Sequence, residues 1–427
     1  MSATGVSLDL ERELREICGE DHVVARAVGP DGAGKEPAAG IEVSPATVDQ
    51  VEAVLRLANK RQFTVAPCGG GGRVLSGAAD VLLHTARLND VEHYDPADLT
   101  CGVGAGMTVA HLNAMVGVHR LMFAVDPPCA ERATIGGLLA TAGHGPMRHG
   151  YGSVRDFCIG VRFVTGDGRK AKGGGRVVKN VAGYDVIKLL IGSYGTLAVI
   201  TSASFKLFPA PRQTRTFLAE FGTWREALNF RDLVLRSPLA PMCLELVSPR
   251  ARIVMRPDLT EDAWVICLRA AGSDSVLARY RKELGSAVTL ELEGDNESAV
   301  WRALSDFPLI ANRKPDRPFS STKHRQYSLF TPPAELGAVL QVLEDVSDAA
   351  IANAAYIGRC GIGHLLVHLE SLDSEAEQLT QTKALRQRLP AAVQFLDSWQ
   401  DLAVVGSMRA VKQALDANNV LRGRELF

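Results

Sequence analysis

The sequence predicts an α+β protein of more than one domain, and three observations point to this class. A strand–helix–strand pattern over residues 41–66 runs directly into four consecutive glycines. Between residues 99 and 208 the chain is dense in turns and short apolar strands. From Thr214 onward glycine becomes rarer and strands are interleaved with helices, a pattern typical of an antiparallel sheet covered on one side. The 427 residues suffice for about two or three domains.

The first pattern begins after a short amphipathic helix, expected over residues 7–24, and a Gly/Pro/Ala-rich linker over 29–40. Ile41–Val43 is a predicted strand. Thr47 and Gln50 match the capping-box pattern T-x-x-Q, so a helix is expected from residue 48, and its apolar residues recur at helical spacing. The next predicted strand covers residues 63–66.

The glycine run Gly69–Gly72 follows that strand. Glycine has no Cβ, so successive backbone N–H groups can turn toward one point and form a nest for an anion such as a diphosphate. A flexible surface loop is the alternative. The run does not match a Rossmann fingerprint, which needs G-x-G-x-x-G between the first strand and its helix. The second glycine-rich stretch, Gly102–Gly106, has Met107 and Val109 where a third fingerprint glycine would fall.

Three threonines are expected to begin further helices: Thr108, Thr134 and Thr223, the last with Glu226 in a capping box. The helix after Thr134 carries Gly136 and Gly137 in its first turn, where each glycine costs about 1 kcal/mol against alanine. Two explanations stay open. A flat ligand lies against this bare backbone, or the helix packs closely on a strand.

Composition and charge narrow the function classes. The formal net charge of -1 gives no indication of a nucleic-acid partner. The eight cysteines are scattered without a C-x-x-C pair, which argues against a zinc or iron–sulfur site and favours reduced thiols in the cytosol. The acidic N-terminus lacks the apolar stretch of a signal peptide. No apolar segment approaches the ~20 residues that span a bilayer, so a cytoplasmic location is expected, with membrane association only through partners.

Two segments carry a family resemblance, K-N-V-A-G-Y-D at 179–185 and G-S-Y-G-T-L-A-V-I at 192–200. They resemble the FAD-binding domain of the PCMH type, also called the vanillyl-alcohol-oxidase type, and within that family the FAD-binding subunits of bacterial glycolate oxidases. Six further blocks occur in family order: 67–73, 103–106, 126–128, 133–137, 145–146 and 151–156. The resemblance covers about residues 40–211.

The resemblance implies a two-lobed FAD-binding domain over residues 40–211, preceded by an N-terminal helix and linker at 1–39. An α+β cap domain with an antiparallel sheet is expected over 212–400, and a C-terminal return segment over 401–427. The motifs imply diphosphate binding at the glycine run, flavin contacts beside the helix after Thr134, and backbone contacts to the adenine and ribose. The implied cofactor-binding residues are Gly69, Gly70, Gly71, Gly72, Arg73, Thr134, Gly136, Gly137, Tyr151, Gly152, Gly195, Val199 and Ile200.

The family often tethers its flavin through a histidine or cysteine near the glycine loop. Residues 68–73 read C-G-G-G-G-R without a histidine, and Cys68 is expected to be an ordinary small residue, so noncovalent FAD is predicted. Oxidation of a 2-hydroxy acid needs a cation for the carboxylate and a base for the hydroxyl proton. Weak candidates are His144, Arg148 and Tyr151, with His149 beside them, and a solvated surface loop is the alternative.

Catalytic relatives typically carry an H-x-G-D-G-N-x-H stretch in the second domain, which supplies metal ligands and a base. The corresponding segment here, residues 361–368, reads G-I-G-H-L-L-V-H and lacks the acidic residue and the asparagine. No metal site is therefore predicted, and His364 and His368 are expected to be ordinary packed or surface histidines. The tail L-R-G-R at 421–424 also departs from the family's N-P-G-K or N-P-G-R.

These features lead to three hypotheses. The first is an FAD-containing subunit of a glycolate or D-2-hydroxy-acid oxidoreductase complex, whose implied partners are a homologous flavin subunit and an iron–sulfur subunit. The complex would be cytoplasmic or peripheral to the inner membrane through those partners. The second is a self-sufficient FAD-linked dehydrogenase of another hydroxy acid or alcohol. The third is a non-catalytic, flavin-bound structural or relay subunit.

Overall fold

The computed structural model describes residues 3–25, 40–70, 79–175, 184–255, 259–260, 262–308, 324–345, 354–370, 383, 385–395 and 405–422. In chain order the helices are α1 (Ala3–Cys18), α2 (Val48–Arg61), α3 (Val109–Gly117), α4 (Ile135–Ala140), α5 (Arg148–Tyr151), α6 (Val154–Phe157), α7 (Val186–Leu190), α8 (Trp224–Arg236), α9 (Pro249–Met255), α10 (Asp274–Leu284), α11 (Gly294–Asp306), α12 (Leu336–Asp345) and α13 (Val405–Leu415).

Strands make up most of the remaining regular structure. They are β1 (Val23–Ala25), β2 (Ile41–Val43), β3 (Val65–Cys68), β4 (Val81–His84), β5 (Val91–Asp95), β6 (Thr100–Gly104), β7 (Leu121–Met122), β8 (Cys158–Thr165), β9 (Lys170–Gly174), β10 (Ala198–Lys206), β11 (Phe208–Pro209), β12 (Gln213–Phe221), β13 (Cys243–Val247), β14 (Trp264–Gly272), β15 (Leu290–Leu292), β16 (His324–Phe330), β17 (Ala355–Arg359), β18 (His364–Glu370) and β19 (Gln394–Phe395). The mixed helices and strands confirm the predicted α+β class.

The chain divides into two units, neither of which is contiguous in sequence. Unit 1 comprises Met1–His144, Ser153–Ala210 and Trp399–Phe427. Unit 2 comprises Gly145–Gly152 and Pro211–Ser398. Each unit has its own sheets and its own buried apolar cluster.

Unit 1 contains two main sheets. One has the strand order β1-β2-β4-β3, in which β4 runs parallel to both of its neighbours. Helix α2 covers it with Val51, Val54, Leu55 and Ala58, all buried. The other is an antiparallel sheet of order β5-β6-β10-β8-β9, against which α3 and α4 bury their apolar residues.

The C-terminal segment completes the first of these sheets. Leu421 forms a parallel bridge to Val65 at the free edge of β3, and Val65 exchanges backbone hydrogen bonds with Val420 (2.8 Å) and Arg422 (2.7 Å). Val420 and Leu421 are 3% and 1% exposed and belong to the same apolar cluster as β3. The last described residues of the chain therefore close a sheet that begins near its start.

Unit 2 is built on one antiparallel sheet of order β15-β12-β14-β13-β17-β18-β16-β19. One face carries the main apolar cluster, to which α8, α10 and α12 contribute. The predicted antiparallel sheet of the second half is confirmed. Strands β12, β16, β17, β18 and β19 of this sheet were not predicted.

The predicted helix starts are confirmed, with one change in detail. Thr47, Thr108 and Thr134 each accept a hydrogen bond from the backbone N–H three residues ahead, and Thr223 and Glu226 form a complete capping box. The Gln50 side chain, however, accepts from the Ala46 N–H at 2.7 Å, so this box closes one residue earlier than expected.

Two predicted boundaries were wrong. The first helix ends at Cys18, because Gly19 adopts φ +93°, which a helix cannot continue. The strand expected over 63–66 begins at Val65. The Phe63 N–H donates to the Ala58 carbonyl at the end of α2, and the Thr64 N–H donates to the Asp80 carboxylate at 2.7 Å. Neither residue is therefore part of the strand.

Candidate functional site

The described part of the glycine run lies against the segment that starts α4. A Cβ on Gly70 would stand 1.6 Å from the Arg132 carbonyl oxygen, and one on Gly69 would stand 2.1 Å from the Thr134 hydroxyl. Arg132 Nη2 donates to the Gly70 carbonyl at 3.1 Å. This approach requires glycine at both positions. Gly71, Gly72 and Arg73 lie outside the described residues, as do residues 179–183 of the K-N-V-A-G-Y-D motif.

The two glycines of α4 differ in their surroundings, so close packing and space for a ligand can be told apart for each of them. Gly136 is buried, its N–H donates to the Ala105 carbonyl at 2.8 Å, and a Cβ would stand 3.0 Å from the Ala105 Cβ. Close packing thus accounts for Gly136 without a ligand. Gly137 is half-buried, and apart from the Thr134 hydroxyl at 3.1 Å nothing lies within 4 Å of its ideal Cβ position, so space for a ligand remains there.

The second resemblance motif folds back onto the same helix. Gly192 N–H donates to Leu139 O at 3.0 Å and Tyr194 N–H to Ala140 O at 2.7 Å. Gly195 has φ +77°, and its Cβ position lies 3.3 Å from the Pro67 ring, next to the glycine run. The predicted residues Gly69, Gly70, Thr134, Gly137 and Gly195 therefore surround one region of unit 1.

Two predicted residues of this motif have buried side chains. Val199 is 0% exposed in the cluster below β3, and Ile200 is 5% exposed in the cluster beneath α4. Both lie on β10 and pair with β8. Any contact of theirs with a ligand would use backbone groups, as the resemblance implies.

A cavity of about 320 Å³ borders Gly70 and Thr134 in unit 1. Its lining also includes Arg132, Thr108 and His111, the last two at the start of α3. Arg132 was not predicted from the sequence, because a lone arginine in E-R-A-T carries no pattern. The bare glycine backbone, a guanidinium and the adjoining cavity fit a bound diphosphate.

The other candidates, Arg148, His149 and Tyr151, lie on α5 in unit 2 and are half-buried, so the solvated-loop alternative is wrong for them. Burial lowers the pKa of His149 and raises that of Tyr151. A Cβ on Gly361 would stand 2.2 Å from His149 Cε1, so this ring packs directly on the turn before β18. Gly152 ends α5 with φ +87°. His144 lies in unit 1 and is half-buried.

The pH dependence of stability should report the burial of His149. An unfolded histidine titrates near pH 6.5. Because the pKa of folded His149 is lower, the unfolded state binds more protons below that pH, and stability falls as the pH drops. We expect the free energy of unfolding, measured with urea, to fall less for His149→Gln than for wild type between pH 7.5 and 5.5. The exposed-residue control His119→Gln should match wild type, and equal slopes for His149→Gln and wild type would contradict the prediction.

Unit 2 also holds a cross-strand row formed by Glu245, Arg359, His364 and Phe330 on the adjacent strands β13, β17, β18 and β16. In the register, His364 pairs with Arg359 on one side and with Phe330 on the other, and Glu245 continues the row beyond Arg359. Glu245, Arg359 and His364 are 0%, 1% and 1% exposed. Arg359 Nε lies 3.8 Å from the Glu245 carboxylate.

His364 is held by hydrogen bonds at both ring nitrogens. Arg359 Nη1 lies 2.9 Å from Nδ1, and Ser328 Oγ lies 2.9 Å from Nε2. A guanidinium only donates, so Nδ1 must accept, and the neutral ring donates to Ser328 through Nε2–H. His368, 4% exposed, packs edge-on against Phe307 with ring centroids 4.5 Å apart. Both histidines are therefore packed residues, as one alternative expected.

The described residues contain neither a cluster of metal-ligating side chains nor a membrane-spanning helix. No group of three or more His, Cys, Asp or Glu side chains is placed there to hold a metal ion. None of the described helices combines the length and apolarity needed to cross a bilayer.

Comparison with known proteins matches the segment that carries this site. Residues 39–172 match the FAD binding domain family model. This part of the chain is therefore similar to FAD binding domains. The fold of the whole chain agrees, because the crystal structure of p-cresol methylhydroxylase superposes with a TM-score of 0.71 at 16% identity, covering 98% of this chain and 96% of that one.

Two curated relatives share more of the sequence. D-lactate dehydrogenase of Archaeoglobus fulgidus is 34% identical over 229 residues, 53% of this chain and 51% of the relative. Glycolate oxidase subunit GlcE of Escherichia coli strain K12 is 34% identical over 205 residues, 47% of this chain and 55% of the relative. The matches thus span about half the length of these relatives.

Proposed function

We propose that this chain is the FAD-binding subunit of a glycolate or D-2-hydroxy-acid oxidoreductase complex. The observation that carries the proposal is the approach of Gly69 and Gly70 to residues 132–134 inside the matched FAD-binding domain. The curated relatives named as glycolate oxidase subunit and D-lactate dehydrogenase support the substrate class.

In this proposal the chain holds FAD largely through its backbone. The N–H groups of Gly69 to Gly72, with Arg73, meet the diphosphate, because glycine lets charged oxygens approach the main chain. Thr134 and Gly137 lie along the diphosphate and the ring system, and Gly136, also predicted, lets α4 pack closely on Ala105. Gly195, Val199 and Ile200 contact the adenosine end through backbone groups, and Tyr151 and Gly152 are further cofactor-binding residues of the proposal.

The proposed attachment is noncovalent. Residues 68–73 contain no histidine, and the Cys68 thiol, the one nucleophile of the segment, is half-buried and contacts the Gly69 carbonyl at 3.6 Å. A thiol used in this way acts as an ordinary small side chain.

Bound FAD supplies the acceptor for two electrons from the alcohol carbon of the substrate. The chain's own residues then bind and orient the substrate and hold its protons. Arg148 on α5 is the cation proposed to meet the carboxylate, since a planar guanidinium matches that group in two parallel hydrogen bonds. Tyr151, whose pKa burial raises, stays protonated at neutral pH and can donate a hydrogen bond.

The proposal includes partners that complete electron transfer, a homologous flavin subunit and an iron–sulfur subunit, in a cytoplasmic complex that reaches the inner membrane only through them. Support comes from the description of one relative as an oxidase subunit. All eight cysteines of this chain are free thiols, and six of them are buried.

A second candidate, a flavin-bound relay subunit without turnover of its own, is favoured by His364. Both of its ring nitrogens are engaged by Arg359 and Ser328, so this histidine does not serve as a metal ligand or a base in the observed arrangement.

The purified chain should be yellow, and acid precipitation should release all of its flavin into the supernatant as FAD. Anaerobic glycolate or D-lactate should bleach the 450 nm band if the chain itself oxidises the substrate, whereas a relay subunit stays yellow until its partners are added. Co-purification from the native host should yield a second flavoprotein and an iron–sulfur protein. A folded chain that neither contains nor takes up FAD would end both candidates.

A further inference from the structure

The C-terminal segment 412–422 of unit 1, here called the clasp, is organised around one lysine whose side chain is 14% exposed. Lys412 Nζ donates to the carbonyls of Thr196 at 2.7 Å and Leu421 at 3.0 Å, and it pairs with the Asp416 carboxylate. An ammonium group has three N–H donors, and these three partners use all of them. Lys412 therefore links a turn before β10 to the end of the clasp.

Each end of this link leads to a segment that the proposed function assigns to FAD. Thr196 follows Gly195 in the chain. The N–H and the hydroxyl of Thr196 both donate to the Ser193 carbonyl, at 3.0 and 2.6 Å, so the carbonyl that the lysine holds belongs to a tight turn. At the other end, Leu421 forms its bridge to Val65 of β3, the strand that runs into the glycine run.

The middle of the clasp is fixed to the body of unit 1. The Asp416 carboxylate accepts two backbone N–H groups of the clasp at 2.8 Å each. A Cβ on Gly166 would stand 2.2 Å from the same carboxylate, and Asn418 Nδ2 donates to Asn59 Oδ1 of α2 at 2.8 Å. The position of the lysine is therefore set by contacts that do not involve the glycine run.

The turn and the strand also touch each other directly. Gly195 has φ +77°, and its Cβ position lies 3.3 Å from the Pro67 ring of β3. Packing against a proline ring has little directionality, whereas the two hydrogen bonds from Lys412 to carbonyl oxygens are directional. The clasp therefore fixes how the Gly195 turn is oriented on β3.

We propose that Lys412 is a positioning residue for FAD, which acts through the clasp to set the spacing between the glycine run and the Gly195 turn. The inference rests on the proposed function and deepens it, because it assigns to cofactor binding a residue outside the matched segment 39–172. A site whose two sides are already held at the bound distance loses less conformational freedom when its ligand binds. Without the link, FAD binding itself has to order the turn.

The double variant Lys412→Met with Asp416→Asn tests the link, because it removes the lysine's hydrogen bonds without leaving a buried charge unpaired. The full-length apoprotein is titrated with FAD and followed by flavin fluorescence, well below the melting temperature of each variant. The dissociation constant of the double variant should lie roughly 10-fold above that of wild type, the order of one hydrogen bond to a charged group.

Two control variants separate positioning from stability. Lys60→Met changes an exposed lysine in the last turn of α2, and it should match wild type in FAD affinity and melting temperature. Val54→Ala opens a cavity in the apolar cluster beneath α2, so it should melt below wild type and still bind FAD like wild type.

A second measurement uses the wild-type chain and serves also if the double variant does not fold. Coupling between two sites is reciprocal, so FAD that binds better because of the clasp also stabilises the clasp. Hydrogen–deuterium exchange over residues 412–422 should slow by about the same factor of roughly 10 when FAD binds, while the edge strand β5 exchanges as before.

The outcomes distinguish the inference from the proposed function. An unchanged FAD dissociation constant in the folded double variant, or equal exchange over 412–422 with and without FAD, would overturn the inference and leave the proposed function standing. The same conclusion follows if Val54→Ala weakens FAD binding as much as the double variant does, because the effect then follows stability alone. If wild type neither contains nor binds FAD, the inference and the proposed function both fail.

Discussion

Gly70→Val should yield a protein that purifies without its flavin. The new Cβ would stand 1.6 Å from the Arg132 carbonyl oxygen, so the glycine run or the segment before α4 must move. We expect FAD binding to weaken on the order of 100-fold, because backbone hydrogen bonds to a charged diphosphate are lost. The ratio of absorbance at 450 and 280 nm, followed by an FAD titration of the apoprotein, measures the effect.

The control for this variant is Gly117→Ala, at the last residue of α3, where nothing lies within 4 Å of the Cβ position. It should keep wild-type flavin content. The far-ultraviolet circular dichroism of Gly70→Val should match that of wild-type apoprotein, which separates loss of the cofactor from loss of the fold. A Gly70→Val protein with full flavin content would show that the diphosphate lies elsewhere.

Asp416→Ala should strongly destabilise unit 1, although Asp416 lies outside the helices and strands. Asp416 is 1% exposed, pairs with Lys412, and accepts from the N–H groups of Val420 and Leu421 at 2.8 Å each. Lys412 is itself buried enough to lower its pKa, and it donates to the carbonyls of Thr196 and Leu421. Removing the carboxylate leaves a buried cation unpaired, which costs about 3–5 kcal/mol.

The melting temperature of the holoprotein measures how much the Lys412–Asp416 pair contributes to stability. The double variant Lys412→Met with Asp416→Asn should melt above Asp416→Ala, because it removes the unpaired cation and keeps one acceptor for the backbone. Exposed Asp98 supplies the control Asp98→Ala, which should melt like wild type. A melting temperature of Asp416→Ala equal to that of the control would mean that the C-terminal segment contributes little to unit 1.

The sequence was informative where structure is local. The caps at Thr108, Thr134 and Thr223 were predictable because a side-chain oxygen and a backbone N–H three residues ahead decide them. The likeness to a known flavin domain was also visible in the order of short motifs. The contact between Gly70 and Arg132 was not, since it joins residues separated by 62 positions and nothing near Arg132 marks it as a partner of the glycine run.

The cross-strand row was the least predictable part of the candidate site. Glu245 and Arg359 come from strands more than a hundred residues apart, and only the register of β13 on β17 brings them together. A lone glutamate within the apolar strand C-L-E-L-V was the one available signal, because a buried carboxylate needs a partner. Nothing in the sequence near Glu245 identified that partner.

The eight residues Gly145–Gly152 belong to unit 2, whereas the chain on either side of them belongs to unit 1. This division matters when unit 2 is prepared by itself. A gene fragment encoding 211–398 would lack α5 and would leave its docking position on the Met242 carbonyl bare. Proteolytic cleavage after residues 210 and 398 would likewise release a fragment 211–398 that lacks α5, although α5 packs on the sheet of that fragment. A separately expressed second half should therefore carry this short peptide on a linker, or be made by circular permutation.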